Sequence, residues 1–306
     1  MKTVKAVRKV LPRPPKHWVG NGFNVYPVFA QLAFSNELSP WLMFDYAAPK
    51  HFDATTTRRG VGQHPHRGFE TITIAFQGSV EHHDSVGNQG VIGPGDAQWM
   101  TAARGIIHEE YHSNEFAKTG GTFEMCQLWL NLPAKHKMDP PKYQPILKGE
   151  IPTVELGPAA DAGAECRAAG AAGSVRLIAG ELGGVRGPAT TFSSVELWDV
   201  HLPTTGTPVE IEVPAGHNVV LFVREGELRV GGGGAAEKVV EAQGVALMEQ
   251  SGSTLRLAAA AADTHVMLLG GEPLDQPIAA QGPFCMNTRA ELAQAQEDYM
   301  SGKLGR

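Results

Sequence analysis

Little in this 306-residue sequence points to a disulfide scaffold, a membrane span or a nucleic-acid surface. The 3 cysteines, Cys126, Cys166 and Cys285, lie far apart and in no CxxC spacing. Neither a disulfide framework nor a zinc ribbon is expected, and the thiols read as buried or idle in a reducing compartment. Charged residues are scarce at 19%, and the formal net charge of −6 disfavours direct contact with a polyanion. Long apolar runs are missing as well. The most apolar late stretch, Leu255–Gly270, holds Arg256, Asp263 and His265 and is too short and too polar to span a bilayer. Residues 1–16 are basic, but no apolar core of signal-peptide length follows them. These shortages predict a cytoplasmic protein without membrane contact.

Glycine (36) and proline (21) are abundant instead, with no G-x-y period, and 42% hydrophobic residues is too many for a disordered chain. Many breakers with few charges predict short strands joined by tight turns, hence an all-β protein. In the first half Val25–Phe34, Trp41–Tyr46, Gly68–Phe76 and Met125–Leu132 read as strands. Within Gly68–Phe76 the alternation puts Glu70, Ile72, Ile74 and Phe76 on one face, and Thr71, Thr73 and Ala75 on the other. Residues 135–143 are charged and proline-rich, and 157–173 are rich in alanine and glycine. The rhythm resumes at Ser174, with a hairpin tip at Gly231–Gly234. The expected division is therefore a domain at 1–134, an inter-domain connection at 135–173, part of which could pack as a strand, and a second β domain at 174–287. Residues 288–306 form a terminal helix, opened by the capping box Thr288-Arg-Ala-Glu291 and stopped at Gly302.

Histidine is the other excess. Of 12, seven (His51, His64, His66, His82, His83, His108 and His112) fall between residues 51 and 112. In extended chain, residues two apart point the same way, so His64 and His66 can face one interior point. The same parity aims His108 and Glu110 together. Three neutral imidazoles and a carboxylate suit Fe(II), Ni(II), Mn(II) or Zn(II). An octahedral ion on four such ligands keeps two positions open for redox or oxygen chemistry, whereas a structural zinc has none. A single HxH is weak, since strand histidines are more often surface or satisfied core; two dyads together carry more.

The stretch His64-Pro-His-Arg-Gly-Phe-Glu-Thr71, continuing through Glu81–Gly90, Pro94-Gly-Asp-Ala-Gln-Trp-Met-Thr101 and Arg104-Gly-Ile-Ile-His108, closely resembles the pirin family of the cupin superfamily. Pro40-Trp-Leu-Met-Phe-Asp45, Gln127-Leu-Trp-Leu-Asn-Leu132, Gly271–Pro277 and Gly282-Pro-Phe-Cys-Met-Asn-Thr288 add to the likeness, which is weakest from 157 to 173. The resemblance implies two cupin (double-stranded β-helix, jelly-roll) barrels packed face to face with a short C-terminal helix. It also implies one divalent metal, in the N-terminal barrel only. The matched positions make His64, His66, His108 and Glu110 the implied ligands, with Fe(II) placed first and Ni, Mn, Zn, Cu and Co also accommodated. Generic cupins take their carboxylate from the first motif, where Glu70 stands; Glu70 shares parity with the two histidines and is kept as an alternative ligand or proton acceptor.

Other residues have plainer readings. His82, His83 and Asp84 read as a solvated turn in preference to a second metal site, and Glu109 points away from the metal by alternation. His112 is either beside the site or on the surface, and Arg67 either meets an anionic ligand at the mouth or, the favoured reading, pairs with a carboxylate. Gln127 and Trp129 line a cavity or simply pack. His201, His217 and His265 share no HxH or HxE spacing, so the second barrel is expected without metal. The resemblance implies two functions of different class. One is a quercetin 2,3-dioxygenase, which opens a flavonol with dioxygen and releases carbon monoxide, with Glu110 or Glu70 taking the substrate's proton. The other is a non-enzymatic metal- or redox-sensing cofactor that binds a protein partner, and whether the chain is an enzyme stays open at this point.

Overall fold

Alternating side chains and frequent turn residues fold this chain almost entirely into antiparallel strands. The computed structural model describes residues 3–163, 171–233 and 235–306. The chain divides into two units, Pro14–Lys148 with Leu274–Arg306, and Met1–Arg13 with Gly149–Pro273. The division expected at 134, 174 and 288 differs at both ends of the chain. Val7–Leu11 pairs antiparallel with Val245–Met248, so an N-terminal strand completes the second barrel. The segment from Leu274 onward, helix included, belongs to the first. Part of the connection packs as sheet, as allowed for it: Lys142–Ile146 pairs with Ala97–Thr101, and Thr153–Leu156 with Gly173–Ala179. These are edge strands, which need one neighbour and little apolar surface, so composition conceals them. Cys166 lies outside the described residues, while Cys126 and Cys285 are buried free thiols.

Among the described residues, each unit is a two-sheet barrel built mainly from one seven-stranded and one four-stranded sheet. In the first, the large sheet runs Lys142–Ile146, Ala97–Thr101, Phe69–Gln77, Gly121–Asn131, Trp41–Phe52, Phe23–Pro27, His17–Val19, and the small one Gly60–His66, Ile106–His112, Val80–Asp84, Gln89–Ile92. In the second, the large sheet is centred on Asn218–Glu225, Thr264–Gly271 and Val195–Leu202, and the small one runs Val209–Glu212, Thr254–Ala259, Glu227–Gly232, Ala235–Glu241. Its interior is one aliphatic core containing Trp198, Leu221, Leu255 and Leu268.

The terminal segment braces the turn that follows His66. Arg67 and Phe284 form a parallel bridge, the Cys285 amide donates to the Arg67 carbonyl at 3.0 Å, and Gly68 has φ +89. A Cβ at Gly68 would lie 1.9 Å from the Cys285 carbonyl oxygen, so only glycine lets the two chains pass. The buried Lys137 ammonium ties the same place together, donating to the carbonyls of Gly68 and Cys285 and to Asn131 Oδ1 at 2.6–2.9 Å. Arg67 donates to Asp298 Oδ2 at 2.8 Å, the carboxylate pairing expected of it. Asp298 sits on the helix Arg289–Met300, which starts with the anticipated capping box between Thr288 and Glu291. That helix packs Leu292 and Ala295 with Phe284, Met286 and Ile107. Ile107 adjoins His108, so the helix backs the strand that presents it.

Candidate metal centre

Two neighbouring strands of the small sheet bring the histidines together. In the antiparallel register of Ile106–His112 on Gly60–His66, His108 faces His64 and Ile106 faces His66. Cross-strand partners share a face, so the two dyads converge as their parity predicts. A register shift between His108 and Glu110 marks a bulge, a feature that often re-aims side chains beside active sites. Ring centroids are 4.3 Å apart for His64 and His108, and 4.8 Å for His66 with either of the others. One donor nitrogen from each of the three lies within 4.8 Å of the other two.

Each imidazole is held by one nitrogen and leaves the other available. His64 Nδ1 is 2.8 Å from the Gly62 carbonyl oxygen. His66 bonds the Pro283 backbone, and its buried Nδ1 has no partner. His108 Nδ1 is 3.3 Å from His82 Nδ1, and its buried Nε2 has no partner. Burial, reinforced by the neighbouring histidines, drives His66 and His108 well below the ordinary imidazole range, so both stay neutral as ligands must. Orphaned buried nitrogens on converging neutral rings cost free energy unless something binds them. The donor set therefore fits a divalent transition metal.

The turn after the first motif is part of this arrangement, contrary to the solvated reading given to it. His82 is fully buried, and its Nε2 lies 3.3 Å from Asp84 Oδ2. Burial would push the Asp84 carboxyl up, but hydrogen bonds from His82 and Asn88 outweigh it and hold it below its usual value. The network is consistent in one sense of donation: His82 Nε2–H to Asp84, His108 Nδ1–H to His82 Nδ1, and a lone pair on His108 Nε2. A carboxylate–histidine chain thus sets the tautomer and orientation of His108, the usual support for a metal-binding imidazole. The pattern His-x-Asp at 82–84 was the available signal. It went unread because only the pairing of Val80–Asp84 with Ile106–His112 brings it to His108.

Glu110 reaches the site from the next inward position. Its Oε1 accepts from Thr73 Oγ1 at 3.0 Å and Gln98 Nε2 at 2.8 Å, and its Oε2 from Gln127 Nε2 at 2.6 Å. It groups within 4.8 Å with His108 and His82, not with all three histidines of the first set. Glu70 is placed elsewhere. The turn Arg67–Gly68 separates its strand from that of His64 and His66, so their parity does not carry across. Its Oε1 accepts from Thr101 at 2.6 Å, it joins no group of candidate metal donors among the described residues, and burial raises it to about 7 against that hydrogen bond. Glu109 faces the other way, 3.5 Å from Arg58. His112 is buried against Phe123 at 4.2 Å with Nε2 on the Gly22 carbonyl, and burial lowers it to about 4.

A cavity of about 210 Å³ opens in front of His64, His66 and Glu110, walled by apolar side chains such as Phe23, Met43 and Met125 with Gln127 and Trp129. It also receives Asp45, a carboxyl that sequence reading passed over although it is a lone acid in the apolar run Trp41–Ala48. In the second barrel, antiparallel pairing sets His201 directly opposite His265, their rings stacked at 4.4 Å, with Asp263 Oδ1 2.7 Å from His201. These three donors converge at an exposed strand end; Asp263 and His265 are two apart in the chain, and the pairing across the sheet adds His201. No helix among the described residues is long and apolar enough to cross a membrane.

Residues 22–130 match the family model Pirin, and residues 197–305 match the Pirin C-terminal cupin domain. A Pseudomonas aeruginosa protein named "Putative quercetin 2,3-dioxygenase" is 46% identical over 300 residues, covering 98% of each chain. A pirin-like protein of Solanum lycopersicum is 33% identical, over 98% of this chain and 92% of its own. Among solved structures, a quercetin 2,3-dioxygenase from Acinetobacter baumannii superposes with a TM-score of 0.89 at 43% identity, covering 99% of each chain. With both halves matched in order and relatives aligned over almost the whole length, the protein belongs to the pirin family of two-domain cupins.

Proposed function

We propose that this protein is a metal-dependent dioxygenase of the flavonol 2,3-dioxygenase type, with His64, His66, His108 and Glu110 holding one divalent metal, Fe(II) first among the candidates. The observation that carries the reading is the set of three converging imidazoles, two of them with unpartnered buried nitrogens, beside an apolar cavity that His64 and His66 line. The relatives named as quercetin 2,3-dioxygenases support the substrate class. The metal would supply Lewis acidity and open positions for an oxyanion and dioxygen. The protein's own part is to orient and exclude. Gln98, Gln127 and Thr73 fix the Glu110 carboxylate, and the apolar walls accept a flat ring system while keeping water out. At about 210 Å³ the cavity is below the roughly 300–1,000 Å³ usual for drug-sized ligands, so a flavonol would enter edge-on and leave one end at the mouth.

Elemental analysis of protein purified without added metal, followed by a quercetin assay under oxygen, tests the reading. Carbon monoxide release by the metal-loaded protein is expected, lost in His66→Ala and kept in His217→Ala. Equal release from both variants would sink it. Metal without turnover would favour the sensing alternative.

A further inference from the structure

Asp45 is the one carboxyl of this cavity with nothing to do in the folded protein. It belongs to a polar row that crosses four strands of the large sheet: Asp45 pairs with Gln127, Gln127 with Thr73, and Thr73 with Gln98. Directly opposed residues put their side chains on one face, and of this row Asp45 and Gln127 line the cavity. Three members of the row are spoken for, since Gln127, Thr73 and Gln98 all donate to Glu110. Asp45 has no hydrogen-bond or ion-pair partner among the described residues, though it is largely enclosed by apolar wall. Asp45 is half-buried in a cleft beside the candidate metal donors, and a carboxyl so placed without a protein partner is a candidate working group.

We propose that Asp45 is the catalytic proton acceptor of this site, taking the proton from the acidic hydroxyl of a planar enol or phenol, here the flavonol 3-hydroxyl. This rests on the function proposed above and assigns the role to neither of the two glutamates first considered. The step is a proton transfer only: the substrate O–H bond breaks, an O–H bond forms on the Asp45 carboxyl, and the oxyanion is left facing the histidines. Glu110 is poorly placed to accept it, because three donors and the proposed metal together take up its roughly four lone-pair positions. Glu70 does not line the cavity. Desolvation raises Asp45 to about 7, so near neutrality it exchanges a proton readily in either direction. The other titratable groups lining the cavity are His64, His66 and Glu110. Trp129, on the same wall, has a buried indole N–H without a partner, a second unfilled contact suited to a substrate oxygen.

The test is anaerobic binding of a flavonol to metal-loaded wild type and Asp45→Asn, read by absorbance, because ionisation of the 3-hydroxyl shifts the flavonol band to the red. Wild type is expected to show the ionised band near pH 7 and Asp45→Asn the neutral one, with metal content unchanged. Turnover under oxygen falls about 10²-fold or more in kcat, and Asp45→Glu recovers part of it. Thermal unfolding at pH 8 separates this from a structural role. Removing an unpartnered acid should leave Tm equal or higher, whereas losing a structural contact would lower it. Equal ionised bands in wild type and Asp45→Asn would overturn the assignment while leaving the dioxygenase reading intact. Failure of wild type to bind the flavonol at all would overturn both.

Discussion

The strands Gly60–His66 and Ile106–His112 of one barrel, and Val209–Glu212 and Thr254–Ala259 of the other, hold the same places in their four-stranded sheets. The first pair presents His64 opposite His108; the second presents Val209 opposite Leu257 and Ile211 opposite Leu255, all buried in one aliphatic core. The large sheets differ in the same way. Where one barrel has the polar row Asp45, Gln127, Thr73 and Gln98, the other has Trp198, Leu268, Leu221 and Ala246 across the corresponding strands. One backbone plan therefore serves two ends. Filled with aliphatic side chains the interior is a core, stabilised by burial; filled with imidazoles, amides and a carboxyl it becomes a site that needs a ligand to satisfy it.

The sharpest way to break this contrast is to remove a histidine. His66→Ala should reduce bound metal from about one equivalent to near none, measured by elemental analysis, while His217→Ala keeps it. Metal that persists in His66→Ala and vanishes on adding His201→Ala would show that the exposed cluster of the second barrel also binds. Next in size is a cavity in the aliphatic barrel. Leu268→Ala should cost about 2–5 kcal/mol in denaturant unfolding and leave metal content untouched. Altered metal binding in that variant would mean the barrels are not chemically separate.

Smaller effects probe the support of the site. His82→Ala or Asp84→Asn should weaken metal affinity about 10–100-fold without unfolding the protein, measured by chelator competition. The smallest concerns Glu70, on the opposite face of its strand from Thr71 and Thr73. Because burial raises its pKa from 4.5 to about 7, the stability it lends is complete below about pH 4.5 and is lost as pH rises through about 7. Glu70→Gln should therefore match wild type at pH 4.5 and exceed it at pH 8 by on the order of 1–3 kcal/mol, read from unfolding midpoints. A variant less stable at pH 8 would show the carboxylate to be a needed partner.

Much of the site was legible because it rests on short-range periodicity. His64 with His66, and His108 with Glu110, are two apart on single strands, and extended backbone leaves them no choice but to share a face. Thr288 and Glu291 likewise announced the helix start through contacts three residues apart. What escaped depends on partners distant in sequence. Asp84 matters through His82, and His82 through a strand more than twenty residues on. Glu70 kept its parity on paper but lost it at the turn held by Gly68 and the terminal segment. Asp45 was one acid among apolar neighbours until Gln127, Thr73 and Gln98 aligned beside it.

By itself the sequence determined the all-β character, the pirin family and which dyads could reach a metal, since composition, motif and two-residue alternation are properties of the chain alone. Only the tertiary structure decided which barrel each terminus completes, how the imidazoles are oriented and which carboxyl is left unpartnered. Those outcomes depend on strand register and on hydrogen bonds between residues tens to hundreds of positions apart, and neither is a function of local sequence.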